Sequence, residues 1–231
     1  MVKTIKENLT RVKEKIEKAA DNVKRDPKEI KLVAVSKTMP VPLILEAIEA
    51  GVTILGENRV QEAEEKIKTI GHPVSWHLIG HLQSNKAKKA ASLFDVIHSI
   101  DSLKIAKKLN AQLEVLDRKM DAFIELNLGA EETKYGMREE ELIASLSEMG
   151  KLPQLRVVGL MAMPPFFPNP EDVRPYFRRL RELKDKLNAK GIPGINLSEL
   201  SMGMSHDFEV AIEEGATFIR VGTAIFGPRK G

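Results

Sequence analysis

The sequence predicts an α/β fold, a single (β/α)8 TIM barrel with an extra N-terminal helix, and three observations carry that expectation. Eight short apolar runs recur along the chain, the first of them rich in β-branched residues. Each but the last is followed by a segment of helical periodicity, and strict alternation makes every strand parallel. No G-x-G-x-x-G turn follows the first run, which weighs against the competing doubly wound open sheet.

Residues 2–23 place Val2, Ile5, Leu9, Val12, Ile16, Ala19 and Val23 at spacings of three and four, with Lys and Glu between them. That is one apolar stripe on a helix lying against its own domain, either in the eighth helical position or under the barrel floor. After Asp26-Pro27, the run 30–35 is too short for a helix and reads as a strand buried on both faces. Further strands are expected at 52–55, 74–79, 96–99, 122–127, 156–161, 195–200 and 217–221. Helices are expected at 43–50, 60–70, 85–93, 103–118, 139–149, 171–190 and 207–214, the first two closing at Gly51 and Gly71. The proline-rich stretch 164–170 reads as a stiff loop over the C-terminal face. Residues 1–231 thus form one domain, with the amphipathic helix in 1–25 and the barrel in 30–227.

Composition narrows the function classes. At about 100 to 200 residues per domain, a chain of 231 residues can bury a real core, and with no cysteine it has no disulfides and no thiolate metal site. Lys+Arg 36 against Asp+Glu 33 leaves a formal charge of +3, too balanced for a dedicated nucleic-acid binder. No apolar run approaches the roughly 18 residues of a membrane span, and the charged start Met1-Val2-Lys3-Thr4-Ile5-Lys6 is not a signal core. The expectation is a soluble cytoplasmic protein, and a monomer, since no apolar stripe beyond residues 2–23 asks for a partner.

In such a barrel chemistry sits at the C-terminal ends of the strands, with anions often held after strands seven and eight. The first strand runs out into Ser36-Lys37-Thr38, which puts an ammonium at the mouth. Taken alone, Lys37 reads as a rim lysine with its head in water; among apolar neighbours its pKa falls and it can form a Schiff base with an aldehyde. Strand seven leads into Ser205, placed to cap the following helix and to add a hydroxyl to an anion site. Strand eight ends Arg220-Val221-Gly222-Thr223, where a glycine admits a ligand to the backbone and the threonine adds a donor. Arg220, two before Gly222, points into the barrel top and needs an acceptor, either a carboxylate or a heteroaromatic ring nitrogen. Together these describe an aldehyde bearing a phosphate and a basic ring nitrogen, which pyridoxal 5′-phosphate fits.

At these residues the sequence resembles the pyridoxal phosphate homeostasis proteins, single-barrel relatives of the alanine racemase N-terminal domain. The resemblance is carried by Val33-Ala34-Val35-Ser36-Lys37-Thr38, Gly56-Glu57-Asn58-Arg59-Val60-Gln61-Glu62, Trp76-His77-Leu78-Ile79-Gly80-His81-Leu82-Gln83-Ser84-Asn85-Lys86, His98-Ser99-Ile100-Asp101, Lys134-Tyr135-Gly136, Gly159-Leu160-Met161, Leu200-Ser201-Met202-Gly203-Met204-Ser205 and Arg220-Val221-Gly222-Thr223-Ala224-Ile225-Phe226-Gly227. These stretches run in order over nearly the whole chain. The resemblance implies a Schiff base at Lys37, phosphate binding by Ser205, Gly222 and Thr223, and Arg220 facing the pyridine nitrogen. Asn58 and His81 look like neighbours of the cofactor ring. It further implies a role in vitamin B6 balance, with apo-enzymes that use the cofactor as acceptors. Racemisation needs a base on each face, and the racemases supply the second as a tyrosine from an additional domain. Tyr135 and Tyr176 do not stand where that base would be, and no such domain is expected here. An arginine opposite the ring nitrogen weakens the ring as an electron sink. The expectation is therefore a carrier without turnover, with a weak racemase or decarboxylase, and a lysine aldolase without cofactor, as the competing readings.

Other signals read as structural. His77 and His81 are spaced like a metal pair on a helix, but this stretch is strand into loop, so no metal is expected. His206-Asp207 reads as a helix start, not an acid-base dyad. Arg174, Arg178, Arg179 and Arg181 alternate with acids and read as a solvated helix face.

Overall fold

Thr4 and Glu7 start the first helix as a reciprocal cap: Glu7 N–H donates to Thr4 Oγ1 at 3.2 Å and Thr4 N–H to Glu7 Oε2 at 2.8 Å. Helix α1 (Ile5–Asn22) buries the stripe Ile5, Leu9, Val12, Ile16 and Ala19. The protein is described by a computed structural model covering residues 4–129 and 135–228, so Val2 of the expected stripe lies outside the described residues.

Strand and helix then alternate as β1 (Lys31–Val35), α2 (Val41–Glu49), β2 (Ile54–Glu57), α3 (Val60–Ile70), β3 (Ser75–Leu78), α4 (Ala87–Leu93), β4 (Val96–Ile100), α5 (Leu103–Val115), β5 (Met120–Leu126), α6 (Glu139–Met149), β6 (Leu155–Ala162), α7 (Arg174–Asn188), β7 (Glu199–Met204), α8 (Phe208–Glu213), β8 (Phe218–Val221) and α9 (Thr223–Phe226). The eight strands pair in sequence order, all parallel, into a closed barrel. Closure is made by β8 against β1, with Lys31 opposite Phe218 and Ala34 opposite Val221.

Two elements depart from expectation. Strand seven lies at 199–204, not 195–200. The polar groups of Leu197 are taken by the Asn188 side chain, whose Nδ2 donates to Leu197 O at 2.8 Å and whose Oδ1 accepts Leu197 N–H at 2.9 Å, leaving none for a sheet ladder. The last strand is also followed by a helix, but α9 is a single turn and cannot cover the barrel wall. Helix α1 covers it, in the eighth helical position rather than under the floor: Asn8 Nδ2 donates to Ile225 O at 2.8 Å, Lys15 pairs with Glu209 at 2.6 Å and Asn22 with Glu213 at 3.1 Å.

Alternation across the strands divides the buried residues into two layers. Ala34, Leu55, Trp76, Leu78, Ile97, Ile124 and Leu200 face the helices in the main apolar core. Val33, Val35, Ile79, Phe123, Met161 and Phe218 fill the barrel interior, where His77, His98, Ser201 and Arg220 are buried beside them. Among the described residues no helix is long and apolar enough to cross a membrane.

Candidate functional site at the barrel mouth

Lys37 stands two residues past the end of β1, half-buried. The backbone on both sides of it is held. Ser36 N–H donates to Gly56 O at 3.0 Å, Ser36 O accepts from Lys66 Nζ at 2.7 Å, and Thr38 N–H donates to Glu62 Oε1 at 2.5 Å. Thr38 adopts φ 65°, a left-handed conformation costly for a β-branched residue. Behind this turn, in the layer between β2 and α3, Glu57 Oε1 accepts from Ser36 Oγ at 2.6 Å and from Lys66 Nζ at 2.7 Å. Burial pushes the Glu57 carboxyl up, with the Lys66 and Ser36 hydrogen bonds opposing. Sequence reasoning did not find this cluster. A lysine at 66 among the apolar positions of α3, between Ala63 and Ile67, was the signal for it.

The closing strand places Gly222 and Thr223 beside this turn, since Ala34 is in register with Val221 and the Gly222 backbone lies against Val35. Ser205 joins them, though not as the expected cap. The residue before α8 is Asp207, whose Oδ1 accepts Met204 N–H at 2.6 Å, because strand seven ends one residue before Ser205. Ser205 Oγ accepts instead from the N–H groups of Gly222 at 3.1 Å and Ala224 at 3.3 Å. Gly203, at φ 90° and too close to Ala211 to carry a Cβ, allows the strand to turn there. Ser205, Thr223 and Ala224 line a groove of about 910 Å³ that α1 borders through Asn8 and Lys15.

Arg220 points into the interior as expected, and it is almost wholly buried. Its Nη1 donates to Ser201 Oγ at 2.6 Å and its Nη2 to Ala162 O at 2.9 Å. Burial lowers it to about 10, against the attraction of Glu125 and Asp207, so it remains cationic at neutral pH. Glu125, on the inward face of β5, is raised to about 7 by burial even with Arg220 opposing.

Asn58 and His81 meet past the ends of β2 and β3, next around the mouth from the β1 turn. Gly80 makes this possible, because a Cβ there would stand 2.4 Å from Asn58 O. Both line a cavity of about 700 Å³ with Arg59, Gln61, Lys86 and Tyr135. His81 Nδ1 lies 2.8 Å from Asp101 Oδ2, and its ring stacks on Tyr135 at 3.9 Å. His81 is thus not paired with His77, which turns inward toward His98. Lys134 of the Lys134-Tyr135-Gly136 stretch lies outside the described residues. Nor is the arginine face of α7 simply solvated: Arg174, Arg178 and Arg181 converge on the buried Glu214 at 3.3, 2.9 and 3.0 Å.

A closed barrel with a lysine at the end of strand one, donors after strands seven and eight and a buried arginine on strand eight defines a class, the barrel of the alanine racemase N-terminal domain, and that family matches residues 2–230. Within it, the chain belongs to the pyridoxal phosphate homeostasis protein family. The protein of that name from Aquifex aeolicus is 45% identical over 97% of this chain and 98% of its own length. That from Escherichia coli K12 is 42% identical over 97% of each. The solved structure of PipY from Synechococcus elongatus with PLP bound matches with a TM-score of 0.82 and 39% identity, covering 92% of this chain and 100% of that one. An alanine racemase of Clostridium difficile shares the fold at a TM-score of 0.73 and 18% identity, over 99% of this chain and 57% of that one.

Proposed function

We propose that this protein binds pyridoxal 5′-phosphate as a Schiff base on Lys37 and serves in intracellular vitamin B6 homeostasis and supply, without catalytic turnover. The observation that carries the reading is the convergence, at the β8–β1 seam, of the held Lys37 turn with Ser205, Gly222 and Thr223 above the buried cation Arg220. The donor set fits the group. The Ser205 and Thr223 hydroxyls suit a phosphate, with the Gly222 N–H holding Ser205 Oγ so that its own proton can turn to the ligand, and Arg220 is a fixed donor for an unprotonated pyridine nitrogen. The cofactor would supply, when bound, an aldehyde within reach of amine chemistry at Lys37.

Arg220 at the ring nitrogen also supports the carrier reading over a weak racemase or decarboxylase, since a ring held unprotonated stores little carbanion charge. Asn58 and His81 border the ring from the β2–β3 side. The protein acts as a monomer in the cytoplasm, and apo-enzymes that require the cofactor are its acceptors.

The test is the visible spectrum of the protein and of Lys37→Ala after addition of pyridoxal 5′-phosphate, followed by borohydride reduction and peptide mass analysis. A visible band in the parent, absent from the variant and trapped on Lys37, is the expected result. A band in neither removes the cofactor reading and brings forward a cofactor-free lysine aldolase. Turnover of amino acids that requires Lys37 would replace the carrier with an enzyme.

A further inference from the structure

Beneath the mouth, six side chains are linked in series across the barrel. Arg220 Nη1 meets Ser201 Oγ at 2.6 Å, Ser201 Oγ meets His98 Nδ1 at 2.7 Å, and His98 Nε2 meets His77 Nδ1 at 2.9 Å. His77 Nε2 then meets Ser75 Oγ at 3.0 Å, and Ser75 Oγ meets Asp95 Oδ2 at 3.2 Å. The middle of the series is buried. Phe123 stacks on His98 at 4.3 Å, and Phe218 lies edge-on to it at 5.4 Å. Burial lowers His77 to about 4 and holds His98 well below the usual histidine range, so at neutral pH each ring carries one proton.

The two ends determine where those protons sit. Arg220 can only donate and the Asp95 carboxylate can only accept. If Ser201 O–H donates to His98 Nδ1, then His98 Nε2–H donates to His77 Nδ1, His77 Nε2–H to Ser75 and Ser75 O–H to Asp95, and every link is satisfied. In the reverse order Ser75 donates to His77 Nε2. A lone pair of Ser75 then faces the carboxylate, and Ser201 accepts twice while its own proton has no partner in the series.

We infer that Ser75, His77, His98 and Ser201 are positioning residues for Arg220, forming one directional hydrogen-bond relay, with both rings in the Nε2–H tautomer, that anchors the guanidinium to Asp95 at the far end of the barrel. Each donor in such a series polarises the next, so Ser201 becomes a stronger acceptor for Arg220 than an isolated hydroxyl. The acceptor is also neutral, which leaves the arginine its charge for a ligand above it. The relay is a property of the protein alone; its bearing on the cofactor rests on the function proposed above.

The test uses full-length protein labelled with 15N-histidine, free of cofactor, at pH 7. Long-range proton–nitrogen spectra are expected to show Nε2 protonated and Nδ1 bare in both His77 and His98. Ser75→Ala cuts the series next to Asp95. It should move the His98 Nδ1 resonance two links away, while Ser75→Thr, which keeps the hydroxyl, returns it to the parent position. An Nδ1–H tautomer in either ring, or a His98 signal indifferent to Ser75→Ala, overturns the relay.

Ser201→Ala should then weaken pyridoxal 5′-phosphate binding about tenfold, the value of one hydrogen bond to a charged group, with Lys37 still trapped at saturation. Unchanged affinity in Ser201→Ala overturns the positioning role. A parent protein that binds no cofactor overturns the function proposed above, and the nitrogen spectra decide the relay independently.

Discussion

The same closed sheet carries polar machinery on both of its faces, and the two sets are built differently. Outside the strands, against α3, Glu57 and Lys66 form a charged pair that clamps the backbone around Lys37. Inside the barrel, neutral imidazoles and a hydroxyl lead to Arg220. The task differs in each place. The outer group holds backbone, so its charges can be spent on each other; the inner one holds a charge that, on the function proposed, is kept for a ligand, and a carboxylate in direct contact would neutralise it.

Breaking the outer pair should have the largest effect. Lys66→Met leaves the Glu57 carboxylate buried and unpaired, with an expected loss of about 3 to 5 kcal/mol in denaturant unfolding. Adding Glu57→Gln, which still accepts from Ser36, should restore most of it. A loss below about 1 kcal/mol in the single variant would mean that the pair behaves as a surface one.

The inner face should instead reveal itself through pH. The folded chain keeps Glu125 protonated up to about 7, whereas the unfolded side chain titrates near 4.5. Stability attributable to this group therefore declines as pH rises from about 4.5 to about 7. His77 works in the opposite sense: it stays neutral in the fold down to about 4 but charges near 6.5 when unfolded, so its contribution rises with pH across that window. Glu125→Gln should remove the decline, by about 3 kcal/mol at most, and leave the histidine slope exposed. Parallel profiles for parent and variant between pH 4.5 and 7 would refute the assignment.

The smallest expected change sharpens what the outer clamp does. Thr38→Gly relieves a left-handed turn at some cost in chain entropy, for a net gain of about 1 kcal/mol. If the strain orients Lys37, that gain comes with weaker pyridoxal 5′-phosphate binding. A gain with unchanged affinity would make the turn a structural incidental.

How much of this was legible in the sequence follows from which forces are local. Short apolar runs revealed the strands, and helices Val60–Ile70 and Glu139–Met149 fall where periodicity puts them. Strand seven slipped by four residues because Ile195 and Leu197 alternate with polar residues as an exposed strand would, while Met202-Gly203-Met204 looks like a turn. What displaced it was a side chain on α7, which no local pattern encodes.

The places of Lys37, Gly222 and Thr223 past their strand ends and of Arg220 in the interior were legible from the strands alone, whereas Ser205 was expected to cap α8 and its bonds cross to β8. In the sequence His77 was weighed only against His81, and His98 and Ser201 stood only within the stretches of the resemblance. Their link exists because closure brings β3, β4, β7 and β8 around one axis. Glu57 and Lys66 are joined across the sheet-to-helix interface, and only the lysine among the apolar positions of α3 signalled them.

The seating of α1 has a consequence for how the molecule comes into being. Its apolar stripe rests partly on α8 and α9, and its Asn8 reaches Ile225, so α1 is synthesised well before the elements that complete its seat. Until strand eight has been made, that stripe has no complete seat, and the nascent chain carries it part-covered in the meantime. The many Lys and Glu residues between its apolar positions keep such a waiting segment soluble.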